Sequence, residues 1–270
     1  MEKISVSIPG GNGRMGRTLL RIIIENKKFK IYNSTCLPGD IEEGLDLGLL
    51  VGNKTISKML TSDNQLLFGN TDVLIDFTAP EATMFHVQKC HEHNIPIVIG
   101  TTGLTPKYES KLNDYSKKIP IVYSANFSIG ITLLSNLVNK ATKILGKEWD
   151  IEILEMHHKH KVDAPSGTAL MLGKSAADAR GQKISDVKSN PRDGIIGKRK
   201  KEEIGFAVLR GGDVVGEHSV IYSNDGERIE LVHKANNRSI FALGALRAAS
   251  WASGAKPGLY SLTDVLNLGG

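Results

Sequence analysis

The stretch EMHHKHKVDAPSGTA, residues 155–169, sets three histidines and two lysines in five consecutive positions and continues into Asp-Ala-Pro-Ser-Gly-Thr. Titratable groups at this density fit three chemistries: metal ligation, nucleic-acid binding and proton transfer. Metal ligation is disfavoured. His157 and His158 are adjacent on a predicted strand and point to opposite faces. His158 and His160 can share a face, but no nearby cysteine offers a thiolate, and Lys159 and Lys161 repel a cation. Nucleic-acid binding calls for basic residues interleaved with aromatics, or for a recognisable module. The stretch has no aromatic, and the run KRKK at 198–201 leads into two glutamates and reads as a solvated loop.

Proton transfer draws on the residues C-terminal to the histidines. Ser166 is placed to cap a helix that begins at Gly167, so the amides of Gly167 and Thr168 face outward where the helix dipole favours an anion. Cations and proton donors lie just upstream. The combination predicts a pocket for a small anionic substrate that also needs a proton.

The elements that must position these groups fall into two series. From residue 3 to about 127, short β-branched runs alternate with helical stretches: KISVSI before a helix over Arg14–Glu25, DVLIDFT before PEATMFHVQKCHEHN, PIVIG before TPKYESKLNDYSKK, and PIVYSA before a further helix. This rhythm predicts an α/β fold, a mostly parallel sheet with helices on both faces. After about residue 148, WDIEILEMHH, IGFAVLRG, GEHSVIYS and ERIELVHKA read as strands of a mixed or antiparallel sheet in a second domain. Residues 180–203 read as a long loop. Helices over Ser239–Trp251 and Ser261–Leu268 are expected to close the chain.

The first strand enters a glycine-rich turn, SVSIPGGNGRMGR, in which Gly10, Gly13 and Gly16 form G-x-x-G-x-x-G and Gly11, Gly13 and Gly16 form G-x-G-x-x-G. Small residues there let the backbone approach a pyrophosphate at a helix N-terminus, so the turn predicts a dinucleotide site. The acid that often ends the second strand and binds the ribose 2′-hydroxyl is missing, for Ser34, Thr35, Cys36 and Leu37 occupy that region. Arg14 offers a partner for a 2′-phosphate. The expected cofactor is therefore NADH or NADPH, with dual use favoured.

Composition sets the bounds. The chain has 270 residues, 34 basic against 29 acidic, a formal charge of +5 and two cysteines, Cys36 and Cys90. That charge fits an anionic ligand, two cysteines make no disulfide framework, and no apolar run is long enough to span a bilayer. The N-terminus runs straight into a strand without a leader pattern, so a soluble cytoplasmic protein is expected. His86, Cys90, His91 and His93 resemble a metal set, but on a helix only His86 and Cys90 share a face.

The stretch 155–169 closely resembles the signature of the 4-hydroxy-tetrahydrodipicolinate reductase (dihydrodipicolinate reductase) family. GGNGRMGR, GLDLGLLVG, DFTAPEAT, GTTGL, ANFSIG, RGGDVVGEH, GERIELVHKA and GLYSLTDVL carry the likeness, in order, through nearly the whole chain. The resemblance implies reduction of a cyclic imine dicarboxylate with NADH or NADPH, in lysine and diaminopimelate biosynthesis. It implies a nucleotide domain of residues 1–127 and 237–270, and a substrate domain of residues 128–236 through which a homotetramer assembles. By the same likeness His157 is the proton donor or acceptor, Lys161 a second proton donor, and His158, Gly167 and Thr168 bind substrate. Gly10, Gly11, Asn12, Gly13, Arg14 and Met15 cover the cofactor phosphates. Gly100, Thr101 and Thr102, with Ser124, Ala125, Asn126 and Phe127, lie near the nicotinamide and its ribose. Cys36 stands where many members have an acid. Two other readings remain: a two-domain Rossmann oxidoreductase acting on an amino or hydroxy acid, and a dinucleotide sensor without catalysis.

Overall fold

The computed structural model describes residues 2–189 and 192–269. The chain divides into two compact units, residues 1–129 with 239–270, and residues 130–238. In chain order the first unit contains β1 (Ile4–Ile8), α1 (Arg14–Glu25), β2 (Phe29–Ser34), α2 (Leu47–Leu50), β3 (Val73–Asp76), α3 (Pro80–His93), β4 (Ile97–Ile99), α4 (Pro106–Tyr115) and β5 (Pro120–Tyr123). The second begins with α5 (Ile129–Leu145) and continues through β6 (Asp150–His157), α6 (Gly167–Ala179), α7 (Ile184–Val187), β7 (Ile204–Arg210), β8 (Gly216–Asn224) and β9 (Glu227–Ala235). The chain then returns to the first unit with α8 (Ser239–Ala252), β10 (Gly258–Tyr260) and α9 (Leu262–Val265).

The first sheet runs β10-β5-β4-β3-β1-β2, every pair parallel. Its strands are buried on both faces, which is why VLID, IVI and PIVY are nearly unbroken apolar runs. On one face Leu19, Leu20 and Ile23 of α1 join Ala242, Ala245 and Ala249 of α8 over Val6, Ile8, Val73 and Val98. On the other, Val87 and Cys90 of α3 and Leu112 of α4 cover Leu74, Ile97 and Ile121. From β1 the order runs to β2 on one side and to β3 on the other, so the C-terminal end of β1 is the topological switch point where open α/β sheets bind ligands.

The second sheet runs β7-β6-β8-β9 and is mixed, with β6 parallel to β7 and antiparallel to β8. Strand β6 alternates, and Ile151 and Ile153 face a core built with Leu134 and Val138 of α5 and Leu172 and Ala176 of α6. Tyr222 lies fully inside this core, where its hydroxyl donates to the Val138 carbonyl.

Three expectations need correction. The closing stretch 261–268 is helical only over Leu262–Val265, where Ser261 and Asp264 form a capping box. Gly258–Tyr260, not expected as a strand, is β10; three residues give no readable period, and pairing with β5 supplies the structure. The loop over 180–203 contains α7 and a bridge from Lys188 to Ile204. Its residues 190 and 191 lie outside the described residues. Among the described residues no helix is long and apolar enough to cross a membrane.

Candidate functional site

In the first unit, the residues singled out for a dinucleotide sit at the C-terminal ends of parallel strands. Gly10–Gly13 follow β1 and Arg14 and Met15 open α1; Gly100–Thr102 follow β4 and Ser124–Phe127 follow β5. The glycine turn is braced from both sides, since the Gly13 amide donates to the Gly10 carbonyl (3.0 Å) and the Gly11 amide to that of Thr35 (2.8 Å). Gly10 takes φ +68°, a left-handed conformation, and a methyl group at Gly16 would collide with the Gly10 carbonyl and the Gly11 backbone. The helix therefore packs directly on the turn. A hollow of about 160 Å³ beside it is lined by Gly10, Gly13, Arg14, Met15 and Phe77. The backbone there is free of side chains that would fill the hollow, and α1 begins without a side-chain cap on its N-terminal amides, an arrangement that favours an anion. Gly16→Ala is expected to destabilise the chain by about 1–3 kcal/mol and to weaken nucleotide binding at least tenfold. Thermal melting and a fluorescence titration with NADH check this.

The loops after β3 and β4 meet on one buried carboxylate. Asp76, fully buried at the end of β3, accepts from the Thr78 amide (2.8 Å), from the Thr78 hydroxyl (2.6 Å) and from His86 Nδ1 (2.7 Å). Thr83 donates to Thr101 (2.7 Å), which ties the loop holding Gly100–Thr102 to α3. His86 and Cys90 are thus interior residues of α3. His93 stacks on Phe68 and His91 lies edge-on to Tyr115. Among the described residues no group of three or more His, Cys, Asp and Glu side chains converges as metal ligands would. Cys36 is 6% exposed, and burial, followed by the charges of Glu43, Asp40 and Glu42, raises its thiol pKa. It remains neutral and inward.

In the second unit the histidine-rich stretch turns on Glu155, which sequence reasoning passed over. The period of two that buries Ile151 and Ile153 also turns Glu155 and His157 inward on the same face of β6. Glu155, 1% exposed, accepts from His157 Nδ1 (2.6 Å), from both terminal nitrogens of Arg210 (2.8 and 3.0 Å) and from the Ser166 amide (3.0 Å). Burial works to raise this carboxyl's pKa. The bonds from Arg210, His157 and Ser166 outweigh it and leave the group below the usual glutamate range. An ionised carboxylate only accepts, so His157 carries its proton on Nδ1 and presents Nε2 for proton exchange. Gly216 lies beside that nitrogen, and a Cβ there would stand 3.0 Å from it.

Ser166 caps α6 as expected, its hydroxyl accepting from the Ala169 amide (3.1 Å). Gly167 is exposed in the first turn of α6, and a Cβ there would meet nothing within 4 Å. The Ser166 hydroxyl also bonds His218 Nε2 (3.1 Å). His218 is held neutral: burial, with the adjacent His157 adding to it, lowers its pKa to about 4. Lys161 donates to Asp163 (2.7 Å) from a side chain that is 20% exposed. Arg210 also bonds the Asp163 carbonyl (2.6 Å), which fastens the 158–166 loop to the end of β7. The His158 and His160 rings lie 6.3 Å apart, and burial followed by the charge of Arg238 lowers the pKa of His158. The structure therefore brings together His157, Lys161, His158 and the start of α6, and adds Glu155, Arg210 and His218.

Comparison with known proteins agrees over the whole length. Residues 4–127 match the family model for the dihydrodipicolinate reductase N-terminus, and residues 130–266 the model for its C-terminus. The chain is 47% identical over 266 residues to 4-hydroxy-tetrahydrodipicolinate reductase of Parvibaculum lavamentivorans, with 98% of each chain covered. It is 44% identical over 270 residues to the Beijerinckia indica enzyme of the same name, with all of both chains covered. A solved structure of dipicolinate-bound dihydrodipicolinate reductase from Paenisporosarcina superposes with a TM-score of 0.77 at 23% identity, over 96% of this chain and 98% of that one. With the glycine turn in the first unit and the histidine–lysine cluster in the second, these likenesses establish that the chain belongs to the dihydrodipicolinate reductase family.

Proposed function

We propose that the chain reduces 4-hydroxy-tetrahydrodipicolinate to tetrahydrodipicolinate with NADH or NADPH, the activity for which its full-length relatives are named. The observation that carries the reading is the cluster in which buried Glu155 bonds His157 Nδ1 on one side and accepts from the Ser166 amide at the start of α6 on the other. The substrate is a dicarboxylate that needs one proton and one hydride, and the second unit offers groups for the proton and for the charge.

The glycine turn of the first unit, Gly10–Met15, fits the cofactor pyrophosphate. Gly100–Thr102 and Ser124–Phe127 follow neighbouring parallel strands and would hold the ribose and nicotinamide, and Cys36, just after β2, is assigned to the cofactor site by the family likeness. When bound, the reduced nicotinamide supplies the hydride. The amides of Gly167 and Thr168, together with His158, receive the substrate carboxylates at the dipole-positive start of α6. Loss of water from the hydroxylated ring gives a conjugated imine, and hydride addition leaves an enamine to be protonated. His157 takes up and returns a proton through Nε2, and Lys161 is a proton donor. Lys161 also offsets substrate charge, and Asp163 holds its ammonium in place until substrate arrives.

The outer face of the second sheet supports assembly as a homotetramer. Strand register places Leu154, Met156, Leu209, Ile221 and Val232 on the face opposite the core, and Leu209 and Val232 are each nearly half exposed. The reading places this homotetramer in the cytoplasm.

The direct test is oxidation of NADH and NADPH, in parallel, by purified protein given freshly made 4-hydroxy-tetrahydrodipicolinate. Substrate-dependent loss of reduced nicotinamide is expected. Folded protein that binds nucleotide yet oxidises neither would instead support the amino-acid or hydroxy-acid oxidoreductase, or the sensor.

A further inference from the structure

The geometry points to Asp40 as the residue that makes this chain prefer NADH to NADPH. The inference rests on the glycine turn of the first unit being the NAD(P)H site. An acid at the end of the second strand normally accepts from the adenosine ribose and repels a 2′-phosphate. Here that place is taken by Cys36, buried and inward, and its neighbours are already used. Ser34 donates its hydroxyl to the Ile8 carbonyl (2.7 Å), and the backbone of Thr35 is bonded to Ile8 and Gly11. The Ser34 hydroxyl and the Thr35 backbone are therefore already engaged within the fold.

Asp40 supplies what the strand end lacks, four residues further on. One of its carboxylate oxygens accepts from the side-chain amide of Asn12, inside the glycine turn (2.8 Å), and the other from the Glu42 amide (2.9 Å). The carboxylate is thereby locked against the turn that would carry the pyrophosphate. A carboxylate has about four acceptor positions, so acceptor capacity remains for ribose hydroxyls. Glu42 and Glu43 flank it. Arg17 neutralises Glu42 and also bonds the carbonyls of Asn12 and Leu50. Glu43 accepts from Ser62, a neutral partner. The negative influence of Asp40, Glu42 and Glu43 reaches Cys36, where all three work to raise the thiol pKa. Arg14 is exposed at the first position of α1 and is the basic residue in the turn that opposes this field. A 2′-phosphate brought to this end of the sheet would meet a fixed like charge, whereas the 2′-hydroxyl of NADH would meet an acceptor.

The test is to titrate NADH and NADPH against the purified full-length protein without substrate, and to measure kcat/KM for both with 4-hydroxy-tetrahydrodipicolinate. Wild type is expected to favour NADH by about tenfold or more in both measurements. Asp40→Asn keeps the shape and an acceptor for Asn12 but removes the charge, and should recover most of the deficit on NADPH. Asp40→Ser, which removes the acceptor too, should also weaken NADH. Equal or better binding of NADPH by wild type, or an unchanged NADPH/NADH ratio in Asp40→Asn, would overturn the inference. Binding of neither nucleotide would overturn the assignment of the turn and this inference with it. Selective NADH binding without substrate turnover would sustain Asp40 and count against the proposed reaction.

Discussion

Glu155→Gln is expected to lower turnover on the order of 10²-fold while leaving the affinity for reduced nicotinamide unchanged. The substitution is isosteric, so the Ser166 amide keeps an acceptor. What it removes is the charge that faces His157 and Arg210. With an amide opposite Nδ1, the His157 proton is no longer confined to that nitrogen, and the Nε2 lone pair is no longer guaranteed. Steady-state kinetics should therefore show loss in kcat rather than in KM for nucleotide. Imidazole ¹⁵N spectra should show His157 passing from one tautomer to a mixture, a signal that general loosening of the fold would not give. Arg210 would lose its ionic partner at a site where it is only 21% exposed, at a cost of about 1–3 kcal/mol, below that of a fully buried pair. Because the folded pKa of Glu155 lies below its unfolded value, its stabilisation is fully present above the ordinary glutamate pKa. It is lost as pH falls through the folded value. The variant should accordingly show a shallower loss of stability on acidification. Wild-type turnover with a single-tautomer spectrum unchanged in the variant would reject the positioning role.

Lys161→Ala is expected to lose most turnover, about 10²-fold or more, with nucleotide binding retained. The ammonium is paired with Asp163, two residues along the same loop, and that loop is anchored by Arg210 through a backbone carbonyl. Removing the lysine therefore deletes a charge without releasing the loop. If Lys161 gives a proton, kcat falls. If it serves only as a charge partner for the substrate carboxylate, KM for the dicarboxylate rises and kcat is spared. Unchanged turnover would remove Lys161 from the chemistry altogether.

The parts of this molecule that were legible in its sequence are those written in local pattern. Alternating short strands and helices announced the parallel sheet, the spacing of Gly10, Gly13 and Gly16 the strand-to-helix turn, and Ser166 the start of α6. Glu155 was within reach of the same logic, since it lies two residues before His157 on a strand. It was missed because the histidines beside it offered the more obvious chemistry. Arg210 and His218 were not legible. They reach the cluster only through the pairing of β6 with β7 and β8, and register across 50 or 60 residues leaves no mark on periodicity. Asp40 was hidden in the same way, because the usual place for its role is counted along the second strand, and here the chain passes that place before the acid arrives. Strand β10, at three residues, has no period to read.

The route of the chain through the two units also sets an order of events. Residues 130–238 are contiguous and own a complete sheet and core. The first unit does not. Its face formed by α1 and strands β1, β3 and β4 is covered by Ala242, Ala245, Ala248, Ala249 and Ala252 of α8, and its sixth strand comes later still. As the polypeptide leaves the ribosome N-terminus first, the unit translated in the middle can close on itself while the earlier one still waits for its last helix. The nucleotide-binding half is begun first and finished last, and its apolar face stays uncovered in the nascent chain for the whole time the other half is being made.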